Sequence, residues 1–139
     1  SSSAYVIRGC RAMLARLAAT DRLFIVTNGA EATQLKRLKK AGLDGFFEKI
    51  FYSETVGYAK PYRQFFDFVA AEIDGWDRSR AVLIGDSLTS DIAGAAGAGI
   101  TSVWFNRFGA DRGSARPDFE ARGYAELEEI LLRLRRKTG

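Results

Sequence analysis

The 139-residue sequence has no histidine, one cysteine (Cys10), one methionine and only two prolines. Without histidine there is no Ser/His/Asp or Cys/His nucleophile and no His-ligated metal. A single cysteine excludes a disulfide framework within the chain. No apolar run approaches the roughly 18 residues that a membrane-spanning helix needs, and the opening SSSAYVIRGC holds no sustained apolar core of a signal peptide. A cytoplasmic location without a membrane partner is therefore expected. What remains for catalysis is carboxylates, lysine, hydroxyls, backbone amides and a hard cation held by oxygen. That is the inventory of phosphate chemistry.

The composition, 47% hydrophobic and 27% charged, suits one soluble globular domain over residues 1–139. The net charge of +4 is spread along the chain. Its basic stretches, Lys36, Arg37, Lys39 and Lys40 and then Arg133, Arg135, Arg136 and Lys137, alternate with leucines at helical spacing. They read as solvated helix faces, and with no aromatic or glycine-rich signature beside them no nucleic-acid partner is expected.

Short apolar runs alternate with amphipathic stretches. Strands are predicted at Leu23 to Val26, Lys49 to Tyr52, Ala81 to Ile84 and Ser102 to Phe105, each a continuous run of the kind found in buried parallel sheets. Helices are predicted at Arg8 to Ala19, Ala30 to Ala41 with a stop at Gly42, Arg63 to Glu72, Leu88 to Ala98, and Tyr124 to about Lys137. Phe65, Phe66, Phe68 and Val69 must find cover, and Gly94 and Gly97 are expected where a helix backbone packs closely. The alternation argues an α/β fold with a doubly wound, mainly parallel sheet.

In such sheets ligands bind at the carboxyl ends of strands. Two strand ends are small and polar, Thr27-Asn28-Gly29 and Gly85-Asp86-Ser87. A hydroxyl and backbone amides at a strand-to-helix turn form an anion site, although Thr-Asn-Gly is also an ordinary turn and cap. Asp86 at the end of an apolar strand must be paired, capping or metal-bound, and Asp91 follows closely enough to face the same pocket. Pro61 biases Lys60 toward an extended backbone, which fixes where that side chain starts.

In their order, Thr27-Asn28-Gly29, Lys60-Pro61 and the block GDSLTSDIAGAAGAGI from Gly85 to Ile100 resemble the haloacid dehalogenase (HAD) superfamily of phosphohydrolases. Glu31 to Gln34, Phe51-Tyr52-Ser53-Glu54 and Trp104-Phe105-Asn106 are similar to its nucleotidase-like and acylneuraminate-phosphatase-like branch. The resemblance implies a Rossmann-like core acting on small phosphorylated substrates with Mg2+. It also implies that the Thr27-Asn28-Gly29 turn binds the phosphoryl group, Thr27 through its hydroxyl and Asn28 through its amide. Lys60 would be catalytic, neutralising charge on the phosphoryl group and the nucleophile, while Asp86 and Asp91 would hold the metal.

The family's nucleophilic aspartate, in a DxDx[TV] motif ending the central first strand, has no counterpart string in these residues. The chain is thus expected to be a C-terminal fragment of a longer protein, without that strand and without a cap domain. It is expected to be inactive alone and marginally stable, because the strands ending at Val26 and Ile84 would lack their neighbour. The alternative is a complete, non-catalytic module that binds phosphate and magnesium. A receiver-like signalling domain also uses Asp, Thr and Lys, but its lysine directly follows a strand, whereas Lys60 sits in a loop before proline.

Overall fold

The computed structural model describes residues 10–138. The chain divides into two compact units, the first running to Ala59 and the second beginning at Lys60.

In the first unit, α1 (Cys10–Ala18) buries Met13 and Leu17, which are four residues apart and share one helix face. The Arg8 start predicted for this helix lies outside the described residues. The β-branched run of β1 (Phe24–Thr27) pairs in parallel with β2 (Lys49–Tyr52), Phe24 opposite Lys49 and Thr27 opposite Tyr52. Between them runs α2 (Glu31–Ala41). It ends as predicted at Gly42, whose φ of 70° puts it in the left-handed region that favours glycine. There Gly42 N–H donates to Lys39 O and Leu43 N–H to Leu38 O, both at 3.0 Å. Arg11 covers the same helix end by donating to the carbonyls of Ala41 (2.6 Å) and Gly42 (2.9 Å). A single helical turn, α3 (Ser53–Val56), follows β2 where the sequence suggested only loop.

The second unit starts with α4 (Arg63–Glu72), whose predicted limits hold. Phe65, Phe66 and Val69 are buried, but Phe68 stays 40% exposed and does not find the cover expected of it. Next come β3 (Val82–Gly85), a π-helical turn at Leu88–Ile92, α5 (Ala93–Ala98), β4 (Thr101–Phe105), β5 (Phe119–Ala121) and α6 (Tyr124–Thr138). The strand order is β3-β4-β5, all parallel, with Gly85 opposite Trp104 and Trp104 opposite Glu120. β5 was not legible: Phe-Glu-Ala is three residues long, and Pro117 and Asp118 before it read as loop.

A side chain at Gly94 would drive into the Phe66 ring, with the Pro61 backbone just beyond, so this glycine lets α5 lie against α4. Gly97 has open space around it and is no packing position, contrary to expectation. The core of this unit gathers Phe65, Ile92, Ala95, Val103, Trp104, Ala121, Leu127 and Ile130.

The α/β class with parallel strands is as read from the sequence, but the strands form two sheets, of two and three strands, rather than one. No helix among the described residues is long and apolar enough to cross a membrane.

Candidate functional site

The predicted site residues fall in both units. In the first, Thr27 closes β1 half-buried, Asn28 is exposed, and Gly29 leads into α2. No side chain of its own caps α2. Instead Glu54 reaches across from α3 and accepts the Glu31 N–H at 3.0 Å, while Glu54 N–H donates to Gly29 O at 3.4 Å. One of the amides that the sequence offered to an anion therefore already has a carboxylate on it. A side chain at Gly29 would meet only the flexible amide end of Gln34, so this glycine is not dictated by a rigid neighbour.

The second unit holds a tighter cluster. Lys60 Nζ donates to Asp91 Oδ1 at 2.5 Å, with both side chains only 8% exposed. The peptide bond between Lys60 and Pro61 is cis. Asp91 reaches this position from the π-helical turn, where the N–H groups of Asp91 and Ile92 both close on Ser87 O, at 3.0 and 3.1 Å. Widened turns of this kind recur at functional sites. The second oxygen of Asp91 accepts Ser87 N–H at 3.2 Å. Each oxygen of this buried carboxylate thus accepts one donor, an ammonium on Oδ1 and an amide on Oδ2.

Gly85 is fixed by the same carboxylate. A Cβ there would overlap the Asp91 side chain from Cβ out to Oδ2. Asp86, by contrast, is exposed, and among the described residues its carboxylate has no hydrogen-bond or ion-pair partner. Capping of the following turn falls to Ser87, whose Oγ accepts Ser90 N–H at 3.1 Å, so neither Asp86 nor Asp91 is the cap. Behind the cluster, Trp104 Nε1–H donates to the main-chain carbonyl of Asp86 at 3.1 Å.

The sequence marks Gly85-Asp86-Ser87 as a polar strand end but assigns no role to Gly85 or Ser87, although the Ser87 to Ser90 spacing is the signal of a cap.

Beyond β4, Asn106 is buried and holds its loop shut. Its side chain donates to Ala110 O (2.9 Å) and Glu120 Oε2 (2.8 Å) and accepts Ala110 N–H (2.9 Å). The hydrogen bond from Asn106, with help from Arg122, keeps the Glu120 carboxyl below its ordinary pKa. In the same loop, Arg107 lies over the Phe108 ring and Arg112 donates to Ala115 O at 2.8 Å.

Within the second unit, a buried lysine–aspartate pair and an exposed aspartate just past β3 are groups of the kind that serve an anion and a hard cation. The chain matches the haloacid dehalogenase-like hydrolase family over residues 2–99. It belongs to that family. Among solved structures of HAD relatives, YfnB from Bacillus subtilis, determined bound to magnesium, is 38% identical with a TM-score of 0.85, covering 90% of this chain and 55% of that one. An HAD phosphatase from Thermococcus onnurineus is 35% identical with a TM-score of 0.78, over 91% and 58% of the two chains. The pyrimidine 5'-nucleotidase YjjG of Escherichia coli is 33% identical over 124 residues, 88% of this chain and 55% of its own length. The chain spans about half the length of the HAD relatives it matches.

Proposed function

We propose that this chain is the core portion of a magnesium-dependent HAD phosphatase. It would hydrolyse small phosphomonoesters, nucleotide or sugar phosphates, through an aspartyl-phosphate whose aspartate lies outside these 139 residues. The observation that carries the reading is the buried Lys60–Asp91 pair set beside the exposed Asp86 carboxylate at the end of β3. Related HAD proteins named as a pyrimidine 5'-nucleotidase, a glyceraldehyde 3-phosphate phosphatase and an N-acylneuraminate-9-phosphatase support the substrate class.

The donor set suits magnesium in one specific way. Asp86 and Asp91 offer oxygen only, and among the described residues no third acidic side chain joins them. Mg2+ commonly binds through one or two carboxylates and keeps its remaining positions for water and substrate phosphate. Asp86 and Asp91 would hold the ion, and once bound it polarises the phosphoryl oxygens as a Lewis acid. Two carboxylates without the family's nucleophile should bind it weakly.

The residues of the chain divide the remaining work. Lys60 brings a fixed positive charge toward a phosphoryl group that gains negative charge on its oxygens, a contribution larger in a water-poor pocket than in bulk. Asp91 keeps that ammonium in place, and the Ser87 amide keeps Asp91 in place. Thr27 would donate its hydroxyl to the phosphoryl group and the Asn28 amide would assist. Gly29 lets the chain enter α2. No residue here supplies the covalent step, so the chain alone is expected to bind but not turn over phosphate esters.

The test is to read the gene upstream of Ser1 and assay the whole product. A strand with DxDx[TV], followed by phosphatase activity that falls at least about 100-fold in Lys60→Ala and Asp86→Asn, supports the proposal. A stop codon with an in-frame start, or a whole product that binds phosphate without releasing it, gives the non-catalytic module instead. That second reading is favoured by the missing nucleophile string alone.

A further inference from the structure

We propose that Trp104 is a positioning residue for the Asp86 carboxylate. It acts through the single peptide group that joins Asp86 to Ser87. The inference rests on the assignment of Asp86 to the magnesium ion.

Asp86 lies one residue past the last ladder position of β3, since the register with β4 ends at Gly85 opposite Trp104. Its carbonyl therefore has no strand partner to fix it. The indole N–H of Trp104 takes that place at 3.1 Å, and Trp104 is itself 3% exposed and packed on β4. On the other side of the same peptide, Ser87 N–H donates to Asp91 Oδ2 at 3.2 Å. One peptide plane is thus pinned at its oxygen by Trp104 and at its nitrogen by Asp91.

The consequence follows from backbone geometry. Rotating the Asp86–Ser87 peptide changes ψ of Asp86, and with it the orientation of the Asp86 side chain relative to the following turn that carries Ser87 and Asp91. Such a rotation has to break both hydrogen bonds, one of them to a carboxylate and both part-buried. Asp86 has no side-chain partner among the described residues, so its backbone is the available means of aiming it. The two carboxylates are also coupled, because Asp91 holds the peptide from which Asp86 projects. Groups that orient a metal ligand in this way commonly matter about 10–100-fold in metal affinity.

Trp104→Phe removes the N–H donor and keeps a ring in the core. The whole chain, wild type and variants, is titrated with Mg2+ while the amide signals of Asp86, Ser87 and Asp91 are followed by NMR. Trp104→Phe is expected to weaken Mg2+ about 10-fold. Val103→Ala, a core change on the same strand, is expected to lower the melting temperature without moving the Mg2+ affinity. In the metal-free protein, Trp104→Phe is expected to speed hydrogen exchange of the Ser87 amide about 10-fold while the β4 amides keep their protection. That second readout decides the matter however weak the metal binding is.

If Asp86→Asn leaves Mg2+ affinity unchanged, the metal assignment itself fails. If Asp86→Asn abolishes binding but Trp104→Phe matches wild type in affinity or in Ser87 exchange, the assignment stands and the positioning role of Trp104 is wrong. Equal losses of affinity in Trp104→Phe and Val103→Ala also overturn it, since they mark a merely structural effect.

Discussion

The two units use the same parallel strand-and-helix grammar but differ sharply in how much they bury. In the first, Met13, Leu17, Phe51 and Tyr52 are the buried apolar residues, and neither β1 nor α2 contributes one. In the second, the buried set runs from Phe65 through Ile130 and draws on α4, α5, β4, β5 and α6. The site residues follow the same division. Lys60 and Asp91 are closed into a dry network, whereas Thr27 and Asn28 sit at the end of a strand with no buried residue. A strand end can carry chemistry only as firmly as its unit is packed, and among the described residues the second unit buries more apolar side chains than the first.

Within the second unit, β3 is the exception. None of its residues is buried, and Ile84 is 39% exposed, although β4 beside it buries Ser102, Val103 and Trp104. β1 and β3 each have one laddered neighbour among the described residues. An apolar strand with an open edge invites further pairing. The expectation that the chain alone is marginal or aggregation-prone is tested by unfolding the purified chain, and stable cooperative unfolding would argue against it.

The comparison is broken most forcefully in the core. Phe65→Ala, at a fully buried ring, should destabilise the second unit by about 3–5 kcal/mol in urea unfolding. Leu35→Ala on the half-buried face of α2 should cost about 1 kcal/mol or less. Equal effects would erase the difference between the units.

The charged pair comes next. Lys60→Ala leaves the Asp91 carboxylate buried without its cation and should cost about 3–5 kcal/mol in the same measurement. Thr27→Val should stay within about 0.5 kcal/mol, because among the described residues its hydroxyl has no hydrogen-bond partner in the fold. A large loss in Thr27→Val would show that the first strand end is structural.

Gly85→Ala pushes a methyl group into Asp91 and should cost about 1–3 kcal/mol, visible as a lowered melting temperature. Gly97→Ala, in open space on a helix, should be neutral or slightly stabilising.

The smallest effect is that of pH. Glu48 in the first unit and Asp77 and Glu120 in the second have lowered carboxyl pKa values. The respective first causes are hydrogen bonds from Arg22, Ser79 and Asn106. A carboxylate whose folded pKa lies below its unfolded one contributes stability that is present above the unfolded value. That contribution is lost as pH falls through the folded value. Melting temperature should therefore decline slightly from pH 5 toward pH 3, with one contributing carboxylate in the first unit and two in the second. Glu120→Gln should flatten its share of that decline.

The legibility of the sequence tracks the same contrast. Helix α4 and the stop of α2 at Gly42 were readable because local signals, apolar spacing and a glycine, decide them. The positions of Thr27, Lys60, Asp86 and Asp91 were readable from strand ends and motif order. That β1 and β3 each lack a laddered neighbour on one side was expected from the absent motif, but β5 was not readable: its pairing with β4 depends on residues far apart. Nor was the hold that Ser87, Gly85 and Trp104 have on the carboxylates. Those contacts arise from register and from a widened helical turn, which apolar periodicity does not encode.

The most direct measurement is phosphate release by the purified 139-residue chain, with Mg2+, from a panel of nucleoside monophosphates and sugar phosphates. On the proposed reading, in which Lys60, Asp86 and Asp91 are present but the nucleophile is not, the chain should release no more phosphate than the protein-free blank. Mg2+-dependent release above that blank, lost in Lys60→Ala, would contradict the assignment of the covalent step to residues outside this chain.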